Sequence, residues 1–266
     1  NLNRFHYRVT QIKSCTFKWL FFGNCKQTAE RGHMPAPRLI YFHVPKCGGS
    51  TFGAALRLRY FWSQATIGQQ ITRPPGPEGQ AQRKTRMEQD YDQRAGVLQR
   101  LVDHGVRCIS AHVRYEAAFM ANTAQDYLRV TLLRDPVERF VSHYAYLQRR
   151  HPDPERPSTL AGFLHTEDAR RLGRQYLFYF GGAHANVGQA IDALLGFDLV
   201  GDLGQGQRFR ADLNRMAGPL PNLGARNQTS AGAAIPADLR QQIEKLCRED
   251  RAIYDAVVRE AALQCQ

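Results

Sequence analysis

Residues 38–61 read RLIYFHVPKCGGSTFGAALRLRYF, and the fold turns on how this stretch is divided. Leu39, Ile40, Tyr41, Phe42 and Val44 form a near-continuous apolar run, the pattern of a strand buried on both faces, here over 38–44. Pro45 to Gly49 reads as a loop, with Ser50 or Thr51 capping a helix that runs to about Phe61. A strand, a glycine-bearing turn and a helix start make a general anion site, because N–H groups at a helix start lack intrahelical partners and the helix dipole is positive there. Gly48 and Gly49 let the backbone approach a ligand, Ser50 and Thr51 add hydroxyls, and Lys46 adds a mobile point charge. In the Walker loop the lysine follows the glycines, as GxxxxGK[ST]. Here it precedes them, which disfavours an ordinary ATPase or GTPase. A plain strand-to-helix turn with a chance lysine stays open at this point.

Two other readings of the stretch are weaker. Cys47, beside a lysine and a helix start, has surroundings that lower a thiol pKa. A phosphatase-type loop, however, needs arginine six residues on, and that position is Gly53. The second constellation lies downstream, in VTLLRDPVERFVSHY, Val130 to Tyr144. Arg134 stands at the carboxyl end of a strand over 127–133, where open α/β sheets bind ligands. Ser142 follows about two turns into the next helix, for which Pro136 suits the first turn. A guanidinium with a hydroxyl suits a second, separate phosphate. The alternative is a local salt bridge in which Arg134 or Arg139 pairs with Asp135.

At 266 residues and a formal charge of +12, the chain can bury a full core and favours an anionic partner. Six cysteines are scattered without a CxxC pair, which argues against a zinc site or a disulfide framework and reads as reduced thiols in a cytoplasm. No apolar run reaches the ~18–20 residues of a membrane span. Lys13, Lys18 and Lys26 fall in a segment without alanine before Ala29, whereas the rest is rich in Ala and Arg. Residues 1–34 are therefore read as a leader or appended extension, with Met34 as the natural start, and 35–266 as a single domain. A genuine amino-terminal arm is the alternative.

Along the remaining chain, 63–80 reads as a loop rich in Pro and Gly, 88–104 as a helix, 106–111 as a strand and 127–133 as another. Helices are expected to Arg150, over 159–180, over 186–195 and over 238–264, with a short strand at 197–201. Strands alternating with helices imply an α/β fold with a central parallel sheet flanked by helices.

The early lysine together with the strand-end arginine and the serine eight residues on resembles the sulfotransferases that use 3′-phosphoadenosine 5′-phosphosulfate. The likeness is to the heparan sulfate 2-O/6-O-sulfotransferase group and its bacterial relatives. FHVPKCGGSTFGAAL resembles that family's 5′-phosphosulfate loop, and LLRDPVERFVSHYAYLQRR its 3′-phosphate motif. FDLVGDLGQGQRF, ARNQTS at 225–230 and REDRAIYDAVV are similar to later segments, the second to the one that closes over the nucleotide. The resemblance implies a P-loop-like sulfotransferase fold. It implies that Lys46, Cys47, Gly48, Gly49, Ser50, Thr51, Arg134, Ser142, Arg226 and Asn227 bind the donor. It also implies that Lys46 stabilises the leaving phosphate, with no metal required. Cys47 departs from the family's threonine: if the side chain donates to the ligand, a thiol does so poorly, and if only the backbone N–H matters the change is tolerated. Either way the loop gains a thiol open to alkylation.

A general base must take the acceptor proton, and histidine suits that near neutral pH. His112, just after the strand 106–111, is the expected base, as in the 6-O-sulfotransferase-like branch. His43 reads as a buried supporting group and His143 as a residue facing the acceptor. Arg57, Arg59, Arg149, Arg150, Arg170, Arg171 and Arg174 would suit an anionic saccharide, or a glycolipid met at a membrane surface. A soluble, bacterial-type cytoplasmic protein is expected. The competing readings are a P-loop kinase-like protein that binds ATP with magnesium and a basic nucleic-acid-binding protein. No recognition motif or interleaved aromatic stripe supports the latter.

Overall fold

The computed structural model describes residues 36–68, 80–224 and 235–263. The expected leader, residues 1–34, lies outside them, as do Arg226 and Asn227.

Five strands form one all-parallel sheet: β1 (Arg38–Phe42), β2 (Gln64–Ile67), β3 (Cys108–Ala111), β4 (Tyr127–Leu133) and β5 (Leu199–Asp202). Their order is β2-β3-β1-β4-β5, with helices on both faces. The chain lays β2 and β3 on one side of β1, then crosses to place β4 and β5 on the other. The sheet order therefore reverses at β1, which leaves a crevice at the carboxyl ends of the central strands. The loops after β1, β3 and β4 carry Lys46, His112 and Arg134.

Side chains alternate across β1. Leu39 and Tyr41 pack with α1 (Gly49–Arg59) and α9 (Gly206–Ala217) through Phe52, Leu56, Phe209 and Leu213. Ile40 and Phe42 face α2 (Gln80–Asp103), α7 (Gln175–Phe180), α8 (Val187–Leu195) and α11 (Arg248–Leu263). A third cluster joins α4 (Pro136–Arg150), α5 (Leu160–Leu164), α6 (Glu167–Gly173) and α10 (Ala237–Leu246). The short α3 (Ala117–Asn122) follows β3. No helix among the described residues is long and apolar enough to cross a membrane.

Four local expectations need correction. The segment read as a loop from residue 63 begins with β2, an edge strand too short and polar to announce itself, and α2 begins at Gln80. Residues 159–180 form three helices instead of one, because Thr159 and Thr166 each accept from an N–H three residues on and so start new helices. The long carboxyl-terminal helix is broken at Cys247. Helix α1 is preceded by Gly48 in the left-handed conformation (φ 79°), with no side-chain cap from Ser50 or Thr51. Pro136 does occupy the first turn of α4, and Asp135 caps it by accepting from Val137 and Glu138 N–H groups at 3.0 Å each.

Candidate active site

The register of the sheet builds the site. Phe42 lies opposite Ala111, so His43 and His112 are the next residues out on adjacent strands. Their backbone N–H groups continue the ladder, donating to Ala111 and Ile67 carbonyls at 2.9 and 3.0 Å. The two imidazoles then meet at 4.2 Å between ring centres, tilted by 35°. Arg94 of α2 donates to the His112 carbonyl at 3.0 Å, which holds this turn to the helix behind it.

The loop after β1 bends through two left-handed residues, Lys46 (φ 70°) and Gly48 (φ 79°). Such alternation turns successive N–H groups toward one concavity, a backbone nest for an anion. Lysine rarely adopts that conformation, so the turn holds Lys46 at some conformational cost. Gly49 is required by packing: a Cβ there would lie 1.7 Å from His43 Nε2. The imidazole of His43 therefore rests on the first turn of α1. The N–H groups of Gly49 and Ser50 precede any intrahelical acceptor, and Ser50 is exposed.

Cations converge on this turn. Lys46 Nζ sits 4.4 Å from the centre of the Tyr146 ring. Burial lowers its pKa, and the neighbouring Arg149 and Arg134 guanidinium groups lower it further. Arg134 itself is 3.6 Å from Glu138. The expected alternative pairing to Asp135 does not form: Asp135 pairs with Arg251 at 2.6 Å, and Arg139 with Asp250 at 3.7 Å. Ser142 is buried on α4, and among the described residues no hydrogen bond joins it to Arg134. Of the arginines expected to face an acceptor, Arg170, Arg171 and Arg174 are in ion pairs with Glu167, Asp168 and Glu249. Arg59 donates to the Ala217 carbonyl at 3.2 Å.

The same positive surroundings act on the histidines. Burial first, then His112, Arg57 and Lys46, hold His43 well below its ordinary pKa. Burial and Arg94 bring His112 down to about 4, opposed by a hydrogen bond to the His43 backbone. His143 falls to about 3 through burial, Arg139 and Lys46. The Nδ1 atoms of His112 and His143 are buried with no hydrogen-bond partner among the described residues. A buried polar atom without a partner is uncommon and calls for a specific explanation. Among the described residues, no group of three or more His, Cys, Asp or Glu is arranged to hold a metal ion.

Cys47 is the clearest departure from expectation. Its side chain turns into the core, fully buried, and meets the Tyr176 hydroxyl at 3.6 Å. Only its backbone is left for a ligand in the turn. Burial pushes the thiol up to about 11, and burial likewise pushes Cys108 and Cys247 up to about 12. The thiolate is the reactive form. Native protein at pH 7.5 is therefore expected to leave these three cysteines unmodified by iodoacetamide over minutes, with modification after denaturation. Peptide mass mapping checks it, and rapid native labelling of Cys47 would contradict the burial.

Sequence reasoning missed Tyr176, Asp250 and Arg94. Asp250 had a readable signal: it falls on the apolar stripe Leu246, Ile253, Val257, where an acid is out of place.

Residues 34–172 match the model of a family described as the sulfotransferase family. No curated protein matches the sequence. Among solved structures, the chain is similar to a sulfotransferase from Alicyclobacillus acidocaldarius at 17% identity, over 84% of this chain and 96% of that one, with a TM-score of 0.47.

Proposed function

This chain belongs to the sulfotransferase family, and we propose that it moves a sulfuryl group from 3′-phosphoadenosine 5′-phosphosulfate to a hydroxyl of an anionic saccharide or glycolipid. The observation that carries this reading is the turn at residues 45–50, where Lys46 is held among Arg134 and Arg149 at the start of α1. Positive charge gathered at a helix start, with only Arg134 of the three next to a carboxylate among the described residues, favours a strongly anionic ligand.

The acceptor hydroxyl attacks sulfur in line as the bond from sulfur to the 5′-phosphate oxygen breaks. Negative charge collects on that oxygen, where Lys46 Nζ and the N–H groups of Gly48, Gly49 and Ser50 stabilise it. Arg134, with Ser142, holds the 3′-phosphate and selects this donor over ATP. His112 takes the acceptor proton. Its Nδ1 is buried and without a hydrogen-bond partner among the described residues. His43 supports the His112 ring and seats α1.

Calorimetry with 3′,5′-adenosine bisphosphate, 5′-AMP and ATP–magnesium tests the donor assignment. The bisphosphate is expected to bind most tightly, and Arg134→Ala to weaken it about tenfold or more, as befits a hydrogen bond to a charged group. A preference for ATP–magnesium, or no nucleotide binding, would overturn the reading.

A further inference from the structure

Tyr176 belongs to neither phosphate-binding loop, yet it touches both. Its hydroxyl donates to the Arg134 carbonyl, accepts from the Arg134 N–H at 2.9 Å and meets Cys47 Sγ at 3.6 Å. A tyrosine hydroxyl has one proton to give and two lone pairs. The proton goes to the Arg134 carbonyl, and the Cys47 thiol, which also donates to the Pro45 carbonyl at 3.8 Å, lies against the same oxygen. One oxygen atom thus ties the turn after β1 to the turn after β4.

That oxygen is itself held firmly. Tyr176 is fully buried. The Asp250 carboxylate of α11 accepts from the N–H groups of Tyr176 and Leu177, at 3.0 Å each. Arg139 of α4, also fully buried, pairs with Asp250 and lies 5.6 Å from the centre of the Tyr176 ring. The helix carrying Tyr176 is thereby anchored at its start, and its side chain reaches the two loops from a fixed point.

We propose that Tyr176 is a positioning residue that fixes the separation of the 5′- and 3′-phosphate loops, so that the site recognises the two phosphates as one ligand. This rests on the donor reading given above. Each loop has its own means of holding an anion: Lys46 and the helix start in one, Arg134 in the other. What neither loop supplies is the distance between them. The proposal also accounts for Cys47. An inward-facing thiol at this position serves the joint, and the change from threonine does not remove a ligand contact.

The test compares calorimetric affinities of 3′,5′-adenosine bisphosphate, 5′-AMP and 3′-AMP for wild type, Tyr176→Phe and Cys47→Ala. Tyr176→Phe removes one oxygen and keeps the ring packing. It is expected to weaken the bisphosphate about tenfold, the order of one or two hydrogen bonds, and each monophosphate by less than about twofold. Cys47→Ala severs one arm only and is expected to give a smaller loss of the same kind, about threefold. Equal losses for all three ligands would mean general loosening and would overturn the proposal, as would unchanged bisphosphate affinity in both variants. A wild type with no preference for the bisphosphate would overturn the donor reading and the joint with it. That outcome is distinct from a wild type that binds it and variants that bind it equally well.

Discussion

Lys46→Ala is expected to lower kcat by about 10²–10³-fold, the usual cost of removing one group aimed at developing negative charge. Bisphosphate affinity should fall far less, because the backbone N–H groups and Arg134 remain. The expectation follows from how the side chain is held. Lys46 lies against the Tyr146 ring, Arg149 and Arg134 lower its pKa further, and no carboxylate among the described residues pairs with it. Release of 3′,5′-adenosine bisphosphate from the donor, with any acceptor that turns over, gives the rate. The left-handed backbone at Lys46 allows a control. Lys46→Gly relaxes the turn where Lys46→Ala does not, so equal losses of kcat in both assign the effect to the ammonium group. Recovery of activity in Lys46→Gly alone would assign it to the backbone and sink the catalytic role.

His112→Ala is expected to retain bisphosphate binding within about threefold and to lose turnover by about 10²–10⁴-fold, the range for a positioned proton acceptor. Near wild-type turnover would place the base elsewhere, with His143 next in line. The pH profile supplies an independent readout. His112 must be neutral to accept a proton, so activity falls as pH drops through its pKa. In the free site, burial and Arg94 bring that pKa down to about 4, and kcat/KM, which reports the free enzyme, should lose activity only near that pH. A bound donor places negative charge beside the ring and favours its protonated form. The acid limb of kcat should therefore lie at higher pH than the limb of kcat/KM. Coincident limbs, or limbs in reverse order, would argue against His112 as the titrating group.

The parts of this molecule readable from sequence are those where one short segment carries the whole signal. The strand before the turn, the Asp135–Pro136 helix start and the strand-end arginine depend on neighbours within a few residues. β2 escaped because an edge strand buries only alternate residues, and four residues give too little alternation to separate from a loop. The break at Thr166 escaped because apolar spacing continues through it while a side-chain cap restarts the helix. Cys47 was placed in the ligand site by its position in the motif. The structure turns it inward, a matter of backbone φ at its neighbours that residue identity does not reveal. Tyr176 was beyond reach, since its role depends on three elements that meet only after folding.

The Asp250 carboxylate that seats Tyr176 lies 74 residues further along the chain, and the hydrogen bond between Thr131 and Phe42 on the two central strands spans 89. Contacts of such long range form slowly, because loop-closure entropy is lost before they reward it. A nascent chain that has already exposed Lys46, His112 and Arg134 still lacks the acid that sets the spacing of the two loops. Nucleotide recognition should therefore emerge late in folding, with the docking of α11, and not with the turn that holds Lys46. A folding intermediate in which the sheet has formed and α11 is still free would have native-like secondary structure and would not distinguish the bisphosphate from AMP.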